Sequence, residues 1–282
     1  MHRLAVATAR GGGTVGWHEL QAFDLGDGET RRLVNQTGIW NPRDLSATLT
    51  IMSSQDGPYN DKEAEGGFLR YDYRAGSDEG NNTKLRRAYE LGTPLILMRK
   101  IADGVYVPVF PVFVVGDDRE NRQFLIALDE SLRFLDDPLH PTVDQRRYAE
   151  RVVRQRLHQP VFRGQVIRAY DRRCAVCSLR RPELLDAAHI IEDSHDDGVA
   201  HVTNGLSLCK IHHTAYDRSL LGVTPDYEVR INRELLDDVD GPMLKHGLQE
   251  MHGRPLELPK ARREWPNPAR LAKRWEEFRS AS

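Results

Sequence analysis

Two close pairs of metal-ligand residues, Cys174-x2-Cys177 and Cys209-x2-His212, stand about thirty residues apart in this chain, and no other feature restricts its fold as tightly. Three cysteines and one histidine at this spacing can close a tetrahedral zinc cage. Cys174, Cys177, Cys209 and His212 are therefore expected to meet at a small knuckle around a structural zinc ion. All three cysteines of the chain lie inside the pattern. That odd number argues against a disulfide framework and fits a reducing, cytoplasmic setting. A redox Cys-x-x-Cys site would leave Cys209 and His212 unexplained.

Threaded through the cage is a second set of polar residues, His189, Asn204 and His213. Histidine is the side chain whose ordinary pKa suits proton abstraction from water near neutral pH. Adjacent residues on a helix point in different directions, so His212 can serve the zinc while His213 serves a separate site. In its order (His, then Asn, then His, beside a zinc knuckle) the segment resembles the HNH, or ββα-metal, nucleases. The resemblance implies phosphodiester hydrolysis with one divalent ion, Mg²⁺ or Mn²⁺. It assigns His189 as general base, Asn204 as the residue that holds the hairpin and orients that base, and His213 as a ligand of the catalytic ion. Many family members carry Asp directly before the base histidine, where this chain has Ala188. Asp186 shares a strand face with Ala188 and is the expected replacement ligand. Asp217, one helical turn after His213, is a weaker candidate. The competing reading is a non-catalytic, zinc-stabilised DNA-binding regulator.

The net charge of −2 hides a segregated distribution. From Arg146 to Arg181 there are eleven arginines, no lysine, and only Glu150 and Asp171 as acids. Such a stripe suits a polyanion, and Arg146, Arg147, Arg151, Arg154, Arg163, Arg168, Arg172 and Arg173 are the expected phosphate contacts on double-stranded DNA. The N-terminal residues lack the apolar core of a signal peptide, and no stretch has the length of a membrane span.

The length suits two domains. Residues 16–115 read as strands and turns: Leu45 to Met52 alternates, Leu95 to Met98 is a short apolar run, and Val105 to Val115 is rich in β-branched and aromatic residues. Asn82 to Leu91 has helical spacing, and Glu120 to Leu135 reads as a strand and a short helix. Pro138 and Pro141 mark the expected boundary. Thr142 to Ala169 then reads as helix with a break at Pro160, Leu221 to Ile231 as a strand, and Ala269 to Phe278 as a terminal helix.

Within the front half, Gly57-Pro58-Tyr59-Asn60-Asp61, Gly66-Gly67-Phe68-Leu69-Arg70-Tyr71 and Gly80-Asn81-Asn82-Thr83-Lys84-Leu85 follow one another. Their order resembles the SRA domains, β-rich modules of the PUA-like group that flip 5-methylcytosine out of the duplex. The resemblance implies aromatic walls at Tyr59 and Tyr71 or Tyr73, an edge-reading carboxylate at Asp61, and Trp40 lining the same region. The acidic run that follows the Tyr-x-Asp element in that family is altered here to Lys62-Glu63-Ala64-Glu65.

The expected fold is thus α+β: an SRA-like domain over residues 1–140, a basic helical linker over 141–170, and an HNH domain with structural zinc over 171–282. The whole is similar to modification-dependent (type IV-like) SRA-HNH restriction endonucleases, which bind DNA carrying 5-methyl- or 5-hydroxymethylcytosine. Cutting both strands requires two sites, hence a homodimer on DNA. A nuclease that reads unmodified DNA is the rival enzyme.

Overall fold

The computed structural model describes residues 1–26, 28–54, 68–74, 80–192, 195 and 198–281. The chain forms two compact units: Met1–Thr8 with Thr14–Val161, and Ala9–Gly13 with Phe162–Ser282. Helix α1 (His2–Arg10) begins in the first and ends in the second.

Unit 1 is built from β1 (Val15–Gly16), β2 (Phe23–Gly26), β3 (Glu29–Arg31), β4 (Ile39–Trp40), β5 (Thr50–Ser54), β6 (Leu69–Asp72), β7 (Leu95–Ala102), β8 (Val105–Asp118) and β9 (Gln123–Ala127). Helices α2 (Trp17–Gln21), α3 (Asn81–Leu91) and α4 (Val143–Val153) accompany them. Seven strands form a curled sheet in the order β4-β5-β7-β8-β9-β6, with β1 paired to β8; β2 and β3 make a separate hairpin. The β5–β7 pair is parallel and the other pairs are antiparallel. Curling rests on β8, which pairs with β7 as far as Val112 and with β9 from Phe113 onward.

The uninterrupted apolar run of β7 has a simple cause. A strand buried on both faces gains no polar alternation. Leu95 and Leu97 enter a core with Ile51, Tyr71, Leu85 and Phe124. Ile96 and Met98 enter another with Leu4, Leu20, Val34 and Tyr106. The segment expected as a strand from Leu45 is strand only from Thr50. Before it the chain turns at Pro42, where the Leu45 N–H donates to the Pro42 carbonyl (3.2 Å).

The helical stretch at 142–169 does not stand apart as a linker. Ala149, Val152, Val153 and Leu157 pack into the unit 1 core, and the division between units falls at Val161/Phe162, inside α5 (Gln159–Ala169). Pro160 does not break the helix. A turn of wider π-type winding, Arg154–His158, precedes it, and the Gln159 N–H donates to the Arg154 carbonyl. This accommodates a residue with no N–H to donate and a ring that crowds the carbonyl four residues back.

Unit 2 contains β10 (Leu185–His189), β11 (Gly205–Cys209), α6 (Lys210–Asp217), β12 (Leu221–Val223), β13 (Val229–Ile231), α7 (Arg233–Asp237), α8 (Pro242–Gly247) and α9 (Pro268–Ala281). The strand expected over Leu221 to Ile231 is the β12–β13 hairpin. One core gathers Phe162, Val166 and Ile167 of α5 with Leu185, Leu206, Leu208, Tyr216, Val229 and Leu271. Antiparallel β10 and β11 pair from Leu185↔Cys209 to His189↔Gly205 and lead directly into α6, giving the ββα order expected of this segment. Among the described residues no helix is long and apolar enough to cross a membrane.

Candidate active site and metal centre

The knuckle is shaped by its backbone. Cys174 N–H donates to the Leu179 carbonyl (3.0 Å) and Ser178 N–H to the Cys174 carbonyl (2.9 Å). Ser178 adopts a left-handed conformation (φ 58°) that closes the turn. Ala175 N–H donates to the Ser207 carbonyl (2.7 Å), docking the knuckle on β11. Cys209 ends β11 and caps α6, so His212 rises one helical turn above it.

The ligand atoms of Cys174, Cys177, Cys209 and His212 all lie within 4.8 Å of one another. His212 Nδ1 is 3.1 Å from Cys209 Sγ and 3.4 Å from Cys174 Sγ. Its Nε2 lies 2.7 Å from the Gly247 carbonyl, to which only a protonated nitrogen can bond. That contact leaves Nδ1 as the lone-pair nitrogen facing the sulfurs, as a ligating imidazole requires. The Cys209 thiol is driven far below its ordinary range, first by the Cys174 and then by the Cys177 hydrogen bond, while those two thiols are themselves pushed up. The donor set of three cysteines and one histidine fits zinc.

Four more polar residues gather on the ββα frame. His189 ends β10, half-buried, with its ring stacked on Phe162 at 4.0 Å between centroids and 17° between planes. Gly205 stands opposite in the ladder, where a Cβ would lie 2.4 Å from Val166 Cγ2 and 2.8 Å from Phe162 Cζ. Any larger residue there would displace the ring on which His189 rests. Asn204 is fully buried: its Nδ2 donates to the carbonyls of Ile191 (2.9 Å) and Val199 (3.1 Å), and its Oδ1 accepts from Ile191 N–H (3.0 Å). Its amide therefore clamps the loop between the two strands.

His213 Nδ1 lies 3.7 Å from Asp186 Oδ2, and its Nε2 lies 3.3 Å from Asp217 Oδ2. Asp186 also pairs with Lys210 and, at 3.3 Å, with Arg163 Nε. Burial alone would raise the Asp186 pKa. Pairing with His213, the hydrogen bond from Lys210, and the charges of Lys210 and Arg163 overcome burial and hold the carboxyl well below the usual range. Pairing with Asp186 likewise raises His213, against burial and with help from Asp217. An ionised carboxylate beside an imidazole is a two-donor grip of the kind a divalent cation accepts.

The segment from 174 to 224 matches the family described as HNH endonuclease. Unit 2 carries an HNH endonuclease domain. The chain is accordingly a metal-dependent DNA nuclease. Two solved structures are also similar. One is described as the modification-dependent TagI restriction endonuclease, at 18% identity over 86% of this chain and 85% of that one, TM-score 0.33. The other is described as the type IV phosphorothioation-dependent restriction endonuclease ScoMcrA, at 16% identity over 64% of this chain and 54% of that one, TM-score 0.22. No curated protein matches.

The expected phosphate contacts divide between the two units. Arg146, Arg147, Arg151 and Arg154 are exposed on unit 1, and Arg168 and Arg172 on unit 2. Arg163 is engaged internally, donating to the carbonyls of Leu185 (2.8 Å) and Pro182 (3.3 Å) besides pairing with Asp186. Arg173 pairs with Asp171 at 2.7 Å.

In unit 1 the expected base pocket needs correction. Tyr71 is fully buried on β6, its hydroxyl donating to the Gly38 and Met52 carbonyls (3.3 Å each). Tyr73 is buried against Phe124, with its hydroxyl on Asp117. Both pack as core residues here, since an aromatic on the inward face of a strand fits the motif order as readily as a ligand wall does. Trp40 is half-buried and donates through Nε1 to the Arg32 carbonyl (2.8 Å). Tyr59 and Asp61 lie outside the described residues. A cavity of about 690 Å³ instead opens among Trp17, Tyr106, Met52, Asn35, Gln36 and Lys100. Trp40, Tyr71 and Tyr73 do not line it, although Tyr71 bonds to the carbonyls of two residues that do, Gly38 and Met52.

Phe162 and Lys210 were not legible as site residues, and Arg163 was expected on DNA phosphates rather than on Asp186. Phe162 and Arg163 touch β10 only through tertiary packing, and Lys210 carried no motif. The signal available for Lys210 was its place at the start of the helix that carries His213.

Proposed function

We propose that this protein is a modification-dependent DNA restriction endonuclease whose unit 1 binds DNA carrying 5-methyl- or 5-hydroxymethylcytosine by base flipping and whose HNH domain cuts the phosphodiester backbone. The observation that carries this reading is the meeting of Asp186 with His213 on a hairpin clamped by Asn204, beside the Cys3His cage and within the segment matched to HNH endonucleases. His189 takes the proton from the attacking water, and the Phe162 stack holds its imidazole in one plane. Asn204 fixes the loop that follows the base. His213 and Asp186 would hold a divalent cation, Mg²⁺ or Mn²⁺, which when bound would supply charge stabilisation to the phosphate and the leaving oxygen. Zinc at Cys174, Cys177, Cys209 and His212 is structural, and the protein acts as a homodimer on DNA.

The reader function rests on the order of the glycine- and tyrosine-bearing motifs between Gly57 and Leu85, and on the unit 1 cavity, where the half-buried Trp17 ring offers a stacking surface for a flipped base. The test is cleavage of matched unmodified, 5-methylated, 5-hydroxymethylated and glucosylated duplexes by the full-length protein and by His189→Ala. Cutting of modified duplexes only, lost in the variant, supports the reading. Equal cutting of all substrates would reject the reader and leave a nuclease of unmodified DNA. No cutting of any substrate would favour the non-catalytic regulator.

A further inference from the structure

Between Arg254 and Lys273 six basic side chains stand against two acids, Glu257 and Glu264, forming a second basic segment far along the chain from the arginine stripe. Its middle lines a cavity of about 640 Å³ lying wholly in unit 2, with walls from Tyr227, Arg262, Arg263, Trp265, Asn267 and Thr203. Thr203 immediately precedes Asn204, so the cavity adjoins the clamped loop of the HNH hairpin.

Its walls are fixed in place. Trp265 Nε1 donates to the Pro259 carbonyl (2.7 Å), and Tyr227 meets the indole edge-on at 5.7 Å and 80°. The Tyr227 hydroxyl donates to the Pro266 carbonyl (3.1 Å). Asn267 N–H donates to the Thr203 carbonyl (2.9 Å), and Arg270 Nη1 to Thr203 Oγ1 (3.3 Å). The rim is cationic. Arg262 and Arg263 are exposed, and Arg262 sits 5.7 Å above the Trp265 ring. Asp226 is the acid in the lining, and Glu264 the acid between the arginines and the indole.

We propose that this cleft is a second DNA-binding site, which holds the sugar-phosphate backbone of the strand running past the cleavage site, with Arg262 and Arg263 on phosphates and Trp265 against the sugar or base face. The proposal rests on the nuclease reading of the same unit. Guanidinium groups fork onto phosphate oxygens, and an aromatic wall beside them favours a nucleic acid strand over a simple anion. Contacts of this kind carry position rather than sequence, which suits a domain whose selectivity comes from elsewhere.

The experiment uses the full-length protein with its zinc content checked, and a labelled unmodified duplex titrated by fluorescence anisotropy over a series of potassium chloride concentrations. Arg262→Ala/Arg263→Ala is expected to weaken binding and to shallow the slope of log K against log salt by about two, one for each phosphate that is no longer neutralised. Arg262→Lys/Arg263→Lys should keep the slope, and Arg279→Ala, an exposed charge at the end of α9, should leave it unchanged. An unchanged slope in the alanine double variant overturns the cleft site while leaving the nuclease reading standing. A lysine double variant as impaired as the alanine one also overturns it, since the effect would then be structural. A wild-type protein that neither binds nor cuts DNA overturns the nuclease reading and the cleft together.

Discussion

Each unit holds a carboxylate whose pKa is depressed despite burial, and the two differ in what surrounds it. In unit 1, Asp117 is hydrogen-bonded by Arg86 and by the Tyr73 hydroxyl, with Arg119 nearby. Burial raises its pKa, and the Arg86 and Tyr73 hydrogen bonds then bring it below the ordinary range. Tyr73 in turn lies 4.6 Å from Phe124 between ring centroids, with the Arg86 and Arg122 guanidinium groups 5.8 and 5.4 Å from its ring. In unit 2, Asp186 is charged by comparable means, yet one partner is an imidazole and another, Lys210, is an exposed ammonium on a long stem. An imidazole can exchange a proton for a metal ion, and a lysine can swing away. A guanidinium held in a fork can do neither at any ordinary pH. The same electrostatic device therefore serves as a rivet in one unit and as a site in the other.

The largest expected effect breaks the site and spares the rivet. His189→Ala should lower cleavage by about 10²–10⁴-fold, the usual worth of a general base, with DNA affinity nearly unchanged. Single-turnover cutting at the wild-type rate would remove His189 from that role. Next comes the metal cage. Cys177→Ser, or zinc removal by a strong chelator, should unfold unit 2 because ligation energy contributes to folding, while the β-sheet signal of unit 1 survives. A zinc-free protein that is folded and active would refute a structural zinc.

A third pair sharpens the comparison itself. Asp186→Asn should abolish metal-dependent cutting and also lower the melting temperature of unit 2, since its depressed pKa means the ionised form is favoured in the folded state. Asp117→Asn should destabilise unit 1 by about 1–3 kcal/mol, since it strips the charge-assisted partner from Arg86, and leave cleavage chemistry intact. Asp117 is depressed in the folded state, so its contribution is fully present above the ordinary carboxylate range and is lost as the pH falls through its folded pKa. Thermal melts of wild type and Asp117→Asn should therefore converge at acid pH; a constant gap would exclude the ionised pair as its cause. The smallest effect is expected for Asp217→Asn, which removes an exposed partner of His213 and should change the rate several-fold at most.

Legibility in the sequence followed the distance along the chain between partners. The cage was visible because its ligands sit on two short turns, and the hairpin and helix that carry His189, Asn204 and His213 fall in a single 40-residue span. Asp186 was named because the resemblance lacks its usual carboxylate at Ala188 and strand alternation puts Asp186 on the same face. Unit 1 is held by β8, whose partners come from both earlier and later segments, and no local pattern tells an inward tyrosine from a ligand wall. The burial of Tyr71 and Tyr73 was not legible for that reason. The helical stretch at 142–169 was legible as helix, but its division between the units depends on which core receives each apolar residue, and Val161 and Phe162 enter different ones.

The crossing of residues 9–13 into unit 2 sets an order of events on the ribosome. Gly12 packs so closely on Ile167 that a Cβ would lie 2.8 Å from it. This five-residue piece leaves the ribosome about 150 residues before its partners exist, a delay on the order of ten seconds or more at ordinary synthesis rates. The nuclease domain therefore cannot pack against this segment until residues beyond Phe162 have been made, by which time all of unit 1 has left the ribosome. A cell making this chain would have its DNA-cutting half assembled last.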